Sequence, residues 1–331
     1  MLEARHLEHR YADCIVLCIE HVELPAGSIT ALVGANGSGK STLLRVLAFL
    51  EAPHRGTLVL DGTPITTAKT RQAARRAVTL VEQQPYLFRG TVRANMRFGL
   101  SARGCRGTHA EGRITQAMAQ LHISDLLDRE AGSLSDGETQ KIAIARALAL
   151  HPKVLLLDEP ASAADRASTN HLYQVLEEAC KNGLTVCFAS HQLEDAYRWS
   201  ERFIALADGR TSPVTLENVF RVVLPPGEGA KCVPVGDITI HVVTDTEGPA
   251  TIAIPPDDLI VSTKPFPSSA RNQFAGRVKR ISDAGRGRVM LTVDAGMELV
   301  ARITPAALEE LDLSLGSQVA LSVKAMAVRV F

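Results

Sequence analysis

A glycine-rich segment near the amino terminus has the residue types and the spacing of a phosphate-binding loop. Residues 34–41 read Gly-Ala-Asn-Gly-Ser-Gly-Lys-Ser and fit the pattern G-x-x-x-x-G-K-[ST]. Glycines let backbone N–H groups wrap phosphate oxygens, and the start of a following helix adds partial positive charge. In this pattern Lys40 reaches the β- and γ-phosphates, and the hydroxyl of Ser41 binds Mg²⁺. The residues that we expect to contact the nucleotide are Gly34, Asn36, Gly37, Gly39, Lys40, Ser41 and Thr42.

Two adjacent carboxylates end an apolar run in the middle of the chain. Residues 154–157 are Val-Leu-Leu-Leu, and Asp158 and Glu159 follow. Ligands of open α/β sheets gather at the carboxyl ends of the strands, which is where this pair would lie. We expect Asp158 to hold Mg²⁺ through water and Glu159 to polarise the attacking water as general base. Alone, such a pair is equally compatible with a solvated turn, and the phosphate-binding loop favours the catalytic interpretation.

The pattern around these motifs is that of a parallel sheet with helices. Short apolar runs, each followed by polar residues, alternate with helical periodicity, as in βα units. The predicted parallel strands are 29–33, 154–157 and 185–189, and the helix after the loop is predicted at 41–50. Residues 1–32 alternate apolar and polar types, which predicts an antiparallel sheet. Residues 93–150 are mostly helical in pattern, with a Gly/Arg-rich loop expected at 102–113.

The overall charge of the chain is balanced. Its 331 residues carry 36 Lys and Arg against 36 Asp and Glu, which gives no support for nucleic acid as a partner. No apolar run approaches the roughly 20 residues of a membrane-spanning helix, and the first residues lack the apolar stretch of a signal peptide. The six cysteines are scattered without a CxxC pair, which is typical of the reducing cytosol and of packing or surface positions.

A third motif carries a resemblance to a known family. Residues 134–138, Leu-Ser-Asp-Gly-Glu, precede a predicted helix at 139–150 and resemble the signature of ABC-type ATPases, usually Leu-Ser-Gly-Gly followed by Gln or Glu. The other family landmarks occur in order over residues 1 to about 210. They are Tyr11 for the aromatic that stacks on adenine, Gln83 for the Q-loop, Asp165 for the D-loop and His191 for the switch histidine.

The resemblance implies a P-loop NTPase fold of the α/β class, with a helical subdomain at about 90–150, that hydrolyses ATP with Mg²⁺. It implies catalytic roles for Glu159, His191 and Gln83, and it adds Gln83 to Ser41 and Asp158 around the metal. In this family two chains meet head-to-tail, and each signature caps the ATP held by the other chain. The residues that would contact the partner's nucleotide are Ser135, Gly137 and Asp165.

One residue departs from the family pattern. Asp136 stands where the signature normally has a glycine. An additional carboxylate near the phosphates repels them, and a non-glycine residue restricts the backbone. Since Ser135 and Gly137 are retained, the assignment holds, and we expect slow hydrolysis.

A second, β-rich domain follows after about Thr211, which divides the chain into domains at 1–212 and 213–331. Segments 220–262 and 273–331 alternate with period two and are broken by Gly and Pro, with a hinge expected at 264–269. We expect residues 213–262 to complete a first, degenerate barrel without a ligand motif.

The end of the chain resembles a second family. Residues 268–331, opening with Ser-Ser-Ala-Arg-Asn, are similar to a molybdate-binding Mop module of the TOBE type. These modules are all-β, OB-like barrels that assemble in pairs and bind tetrahedral oxyanions. The resemblance implies that Ser269, Arg271, Thr304 and Lys324 bind molybdate or tungstate, although Ala307 stands where many members have a serine. The alternative is a barrel that only dimerises or stiffens the tail.

The combined prediction is the ATP-hydrolysing subunit of an ABC importer for molybdate or tungstate. Its partners would be membrane permease subunits, a second copy of itself and, indirectly, an extracytoplasmic solute-binding protein. It would act at the cytoplasmic face of the cell membrane.

Three alternatives stay open at this point. Similar barrels accompany importers of sulfate, sugars and polyamines, so the cargo depends on the Ser-Ala-Arg-Asn segment. A non-transport ABC ATPase acting on DNA or the ribosome usually has two cassettes or coiled-coil insertions, which this sequence lacks. A pure anion-storage or regulatory protein is disfavoured by the ATPase motifs.

Overall fold

The computed structural model describes residues 1–161, 165–191, 193–212, 218–285 and 288–331. The chain divides into two compact units, Met1–Ser212 and Pro213–Phe331. The strands of the first unit are β1 (Leu2–Tyr11), β2 (Cys14–Leu24), β3 (Ile29–Val33), β4 (Arg55–Leu60), β5 (Thr63–Pro64), β6 (Val78–Val81), β7 (Val154–Asp158), β8 (Thr185–Ser190), β9 (Arg202–Ala207) and β10 (Arg210–Ser212). Its helices are α1 (Lys40–Leu47), α2 (Ala68–Ala77), α3 (Val92–Ala102), α4 (Gly107–Gln120), α5 (Asp136–Ala149), α6 (Arg166–Lys181) and α7 (Leu193–Trp199).

A six-stranded sheet forms the centre of the first unit. Its strand order is β10-β9-β3-β8-β7-β6, and all neighbouring pairs are parallel except β10 with β9. Every residue of β3, β7 and β8 is buried, as expected for a parallel sheet covered on both faces. The three strands predicted from apolar runs are therefore confirmed, each within one residue of its expected end.

An antiparallel sheet packs on the same core. Its order is β2-β1-β4-β5, which confirms the antiparallel entry predicted for residues 1–32. Leu17 and Leu24 of β2 lie in one apolar cluster with Leu43 and Leu47 of α1. The helix that follows the phosphate-binding loop is thus fixed by packing against both sheets, because the same cluster includes Leu156 of β7.

The helical region differs from the sequence prediction in one place. The loop expected at 102–113 ends early, since α4 begins at Gly107. Ala110, Ile114, Ala117 and Met118 are buried along one face of α4, with the spacing of an amphipathic helix. That packing outweighs the low helix propensity of Gly112, which misled the sequence prediction.

The second unit is mostly β-structure. Its strands are β11 (Asn218–Leu224), β12 (Ala230–Val235), β13 (Ile238–Val243), β14 (Gly248–Ile254), β15 (Ile260–Ser262), β16 (Asn272–Gly285), β17 (Arg288–Asp294), β18 (Glu298–Ile303), β19 (Gln318–Val323) and β20 (Arg329–Val330), and one α-helix, α8 (Pro305–Glu310), follows β18. A five-stranded antiparallel sheet has the order β15-β19-β16-β17-β18. The first half of β16 pairs with β19 and its second half with β17. Gly276 lies before this change of partner, where a Cβ atom would come within 2.5 Å of the Asp294 carbonyl oxygen.

Residues 218–262 do not form a barrel of their own. Val222, Val242 and Ile252 lie in one apolar cluster with Phe274 and Leu321. The three-stranded sheet (β11-β14-β20) and the hairpin (β12-β13) each have an apolar face. These faces pack against the five-stranded sheet, so that one core serves all of these strands. Within the residues that the structure describes, no helix is long and apolar enough to span a bilayer.

Candidate functional site

The phosphate-binding loop curls around the ammonium group of its own lysine. Lys40 is 6% exposed, and its Nζ donates hydrogen bonds to the carbonyl oxygens of Gly34 (2.8 Å) and Ala35 (3.1 Å). Gly39 has φ 101°, a left-handed conformation that suits glycine, at the start of α1. At Gly34 a Cβ atom would lie 2.3 Å from the Leu206 carbonyl oxygen, so glycine is required for close packing against β9.

The rest of the loop offers donors at the start of a helix. Lys40, Ser41 and Thr42 form the first turn of α1, whose N–H groups have no partners within the helix. Asn36 and Gly37 are exposed at the tip of the loop, and Gly37 has φ 80°. Exposed backbone and helix-terminal N–H groups together suit an anion.

Four predicted site residues or segments follow neighbouring parallel strands. The loop follows β3, His191 follows β8, the pair Asp158–Glu159 ends β7, and Gln83 comes two residues after β6. These strands are adjacent in the order β3-β8-β7-β6, so the four segments emerge at one edge of the sheet. The structure thus brings together the phosphate loop, two carboxylates, an imidazole and an amide.

The second carboxylate of the pair is buried and bonded to the histidine. Glu159 is 7% exposed, and its Oε2 lies 2.5 Å from Nδ1 of His191. Its backbone has φ 52°, and its N–H donates to the Ala189 carbonyl oxygen at 3.0 Å. A non-glycine residue in the left-handed region costs free energy and is concentrated at functional sites. Asp158 is also 7% exposed. The arrangement can accept a proton from water and pass or share it with an imidazole.

Ser135 and Asp165 both occupy helix N-caps. Ser135 caps α5, forming a capping box with Glu138, and its N–H and hydroxyl donate to Glu138 at 2.8 and 2.9 Å. These bonds lower the pKa of Glu138. Asp165 caps α6 by accepting the N–H of Ser168 at 2.9 Å, which lowers the pKa of Asp165. Gly137 lies in the first turn of α5, so the helix begins within the signature, at Asp136, and not after it at Thr139 as predicted. Residues 162–164 of the D-loop stretch lie outside the described residues.

Tyr11 and Gln83 lie on the surface near α1. Tyr11 is 45% exposed, and its hydroxyl donates to Glu51 at 2.7 Å. Gln83 is exposed, and its neighbour Glu82 forms an ion pair with Arg45 of α1 (3.0 Å). Sequence reasoning missed Glu51 and Arg45 because nothing in their local pattern marks them. Glu51 accepts a hydrogen bond from Tyr11, which is 40 positions away, and Arg45 donates one to Glu82, which is 37 positions away.

The structure brings together only part of the predicted oxyanion site. Pairing of Asn272 with Val323 places Arg271 beside Lys324, at the end of β19, and both are exposed, as is Ser269. Thr304 instead follows β18, whose last pair is Ile303 with Val289, at the other end of the β16–β17 hairpin. Its hydroxyl accepts the N–H of Ala307 (3.1 Å), so it caps α8.

Comparison with known proteins follows the same division of the chain. The family model for ABC transporters matches residues 20–162, and the model for the TOBE domain matches residues 268–330. The sulfate/thiosulfate import ATP-binding protein of Thermosynechococcus vestitus is 33% identical over 305 residues, covering 90% of this chain and 89% of that protein. The chain belongs to the ATP-binding proteins of ABC transporters.

Further relatives of this ABC protein differ in the cargo that their names give. The molybdate/tungstate import ATP-binding protein of Pyrococcus abyssi is 31% identical over 318 residues, covering 91% of each chain. A solved dimeric ATP-binding cassette, in a post-hydrolysis state with ADP and Pi, superposes with a TM-score of 0.60 at 26% identity, covering 64% of this chain and 97% of that one. The predicted ABC ATPase fold with a TOBE domain is confirmed, as is ATP hydrolysis coupled to transport. The relatives do not single out molybdate or tungstate as the cargo.

Proposed function

We propose that this ABC protein hydrolyses ATP to import a tetrahedral oxyanion of the molybdate or tungstate class. One observation carries the proposal for the ATPase site: the phosphate loop, Asp158–Glu159, His191 and Gln83 follow four adjacent parallel strands at one sheet edge. Such an edge is where an open α/β sheet binds its ligand. In the proposed division, residues 1–212 form the ATPase domain, with a helical subdomain at about 90–150, and residues 213–331 form the C-terminal domain.

The roles of the residues follow from their positions. Lys40 leaves its two carbonyl partners and binds the β- and γ-phosphates, since a dianion is a stronger partner for an ammonium than a peptide carbonyl. Glu159 takes a proton from the attacking water as general base. His191, 2.5 Å from Glu159, holds the carboxylate in place and is the switch residue of the proposed mechanism.

The residues around the loop fit Mg²⁺. Ser41, Asp158 and Gln83 would supply a hydroxyl, a carboxylate and an amide oxygen, the hard donors that Mg²⁺ prefers together with substrate phosphates. Among the described residues no group of three or more His, Cys, Asp or Glu side chains forms a metal cage, so phosphates and water would complete the shell. Bound Mg²⁺ would neutralise charge on the phosphates, and Ser41 of α1 and Asp158 of β7 would be among the residues that hold it.

A second copy of the chain completes the proposed site. Ser135, Gly137 and Asp165 are exposed or half-buried at helix starts, where backbone N–H groups can face the γ-phosphate of a partner. The dimeric form of the solved cassette supports the assembly of two copies.

An aromatic patch beside the Q-loop is the proposed docking site for a permease helix at the cytoplasmic membrane face. Tyr86, Phe88 and Phe98 are 70%, 43% and 57% exposed, and the rings of Phe88 and Phe98 lie 4.7 Å apart. The sequence did not predict that Phe98 belongs to this patch. It lies ten residues beyond Phe88, the last residue of the Q-loop segment, and is brought beside it by α3. A solute-binding protein on the outer face would deliver the anion to that permease.

Calorimetric titration of the full-length protein with molybdate, tungstate and sulfate tests the cargo. We expect binding of molybdate and tungstate at the C-terminal domain, supported by adjacent Arg271 and Lys324. Sulfate import is the second candidate, favoured by the 33% identical sulfate/thiosulfate relative. Tight binding of sulfate alone would replace the first proposal by the second. Co-purification with ribosomes instead of an integral membrane protein would contradict both.

A further inference from the structure

The hydroxyl of Tyr11 is held by a residue from a distant part of the chain. Tyr11 Oη donates a hydrogen bond of 2.7 Å to Oε2 of Glu51, which lies after α1. The side chain of Glu51 is 28% exposed, whereas the tyrosine itself is 45% exposed. The ring of Tyr11 is therefore fixed at its polar end while much of its surface stays open.

A buried histidine lies beside both Glu51 and the ring of Tyr11. His9 is 4% exposed, and its Nε2 lies 2.9 Å from Glu51 Oε2, a close polar contact without the alignment of a hydrogen bond. Its Nδ1 lies 3.2 Å from the carbonyl oxygen of Ala52, so Nδ1 carries a hydrogen. The rings of His9 and Tyr11 meet edge to face, with their centroids 5.1 Å apart.

The Tyr11 hydroxyl also lies next to the helix that begins at the phosphate loop. The Glu82 carboxylate, and to a smaller extent the Tyr11 hydroxyl, raise the pKa of Arg45 in the second turn of α1. Tyr11 ends β1 and pairs with Cys14 at the start of β2. Two residues further along β2, Val16 and Leu17 lie against Gly39 of the phosphate loop. Tyr11 thus lies close to α1, the helix that begins at the phosphate loop.

We propose that Glu51 is a positioning residue for the nucleotide base, which fixes the ring of Tyr11 by accepting the hydrogen bond of its hydroxyl. The inference rests on the proposed function, in which Tyr11 stacks on adenine. A side chain that must be immobilised on binding weakens affinity by roughly 2- to 12-fold, and a ring already held avoids this loss. Glu51 acts on the base alone and makes no contact with phosphate in this mechanism.

The test compares two ligands that differ in the base. Dissociation constants of the full-length protein are measured by calorimetry for the non-hydrolysable β,γ-imido analogue of ATP and for tripolyphosphate, both with Mg²⁺. We expect Glu51→Ala to weaken the ATP analogue about 2- to 12-fold and to leave tripolyphosphate unchanged. Glu51→Gln keeps an oxygen acceptor and should bind like wild type. Glu8→Ala, which removes a carboxylate of β1 that pairs with Arg10, is the matched control and should change neither ligand.

A double-mutant cycle isolates the hydroxyl contact. Tyr11→Phe should reproduce the loss of Glu51→Ala, and the double variant should bind no more weakly than either single variant. Multiplied losses would overturn the proposal, as would wild-type binding by Glu51→Ala or equal weakening of both ligands, which marks a merely structural role.

The failure of the proposed base site is distinguishable from failure of this inference. Tyr11→Ala removes the ring and should weaken the ATP analogue roughly 5- to 150-fold, with tripolyphosphate unaffected. Unchanged binding by Tyr11→Ala overturns base stacking and the inference together. A loss in Tyr11→Ala with none in Glu51→Ala overturns the inference alone.

Discussion

At the scale of single residues, the clearest chemical arrangement is the pair Glu159 and His191. A buried carboxylate needs a partner, because burial without one is costly. His191 supplies it at 2.5 Å while remaining itself partly exposed. The backbone of Glu159 is left-handed directly after β7, and its N–H donates a hydrogen bond to the Ala189 carbonyl oxygen. The residue is therefore placed by strain as well as by hydrogen bonds.

Replacing this carboxylate should separate binding from hydrolysis. Glu159→Gln keeps the shape of the side chain and removes the proposed general base, so we expect ATP to bind normally and turnover to fall by about 10²–10⁴-fold. A stable ATP-bound dimer, detected by gel filtration, would accompany the loss. Glu201→Gln is a suitable control, since Glu201 is exposed beyond α7. Hydrolysis at the wild-type rate would remove Glu159 from the mechanism.

The unusual residue of the signature has a second role in the structure. Asp136 is the first residue of α5 and is exposed, where a negative charge stabilises the helix start. We still expect its charge to repel the partner's ATP. Asp136→Gly should raise the ATPase rate of the dimer by a few-fold and lower the thermal midpoint slightly. Asp136→Asn removes the charge without a glycine and should raise the rate too. An unchanged rate in both variants would show that the carboxylate stays in solvent during closure.

At the scale of elements, the sequence predicted what depends on local pattern. The apolar runs 29–33, 154–157 and 185–189 could be recognised as buried parallel strands, and the motifs at their ends predicted the candidate site. The start of α4 could not be predicted, since it depends on the packing of Ile114 and Met118 and not on local helix propensity. The sequence analysis also did not predict that Ser135 caps a helix. The segment Ser-Asp-Gly-Glu fits both a signature and a capping box.

Hydrogen bonds from side chains to the backbone of Tyr86 and Phe88 could not be predicted from the sequence pattern. Asn95 is 1% exposed in α3, and its side-chain amide bonds both the N–H (2.7 Å) and the carbonyl oxygen (2.9 Å) of Phe88. Arg146 of α5 donates to the carbonyl oxygen of Tyr86 at 3.1 Å, so the same loop is tied to the helix that begins at the signature. Burial lowers the pKa of Arg146. These hydrogen bonds fix the loop that carries Tyr86 and Phe88 of the aromatic patch, and no sequence motif predicts them.

Loss of the Asn95 side chain should loosen that patch. Asn95→Ala leaves the N–H and carbonyl oxygen of Phe88 without their partner, at a cost of about 2–4 kcal/mol in stability. The thermal midpoint should fall by roughly 5–10 °C. Asn182→Ala, which removes an exposed amide at the end of α6, provides the control. Equal midpoints for the two variants would mean that the loop does not depend on Asn95.

At the scale of the whole molecule, the question is whether the C-terminal domain senses the proposed cargo, an oxyanion. Regulation requires two sites and a difference in anion affinity between two states of the transporter. Arg271 and Lys324 lie side by side, whereas Thr304 is at the other end of the sheet. A site that uses all of them therefore has to draw on two chains, as in paired barrels. The anion would then favour one arrangement of the dimer over another.

Feedback by the anion is a testable consequence of that arrangement. In the reconstituted transporter, raising molybdate or tungstate on the cytoplasmic side should lower the ATPase and uptake rates. Since the shift cannot exceed the anion's differential affinity for the two states, the reduction should be about 5- to 150-fold at saturation. Arg271→Ala and Lys324→Ala should each weaken anion binding and relieve inhibition while leaving ATP affinity intact. Lys264→Ala removes an exposed charge before β16 and should do neither. A flat response in the wild type, with no anion binding by calorimetry, would leave the barrel a structural role only, because a site without differential affinity cannot shift an equilibrium.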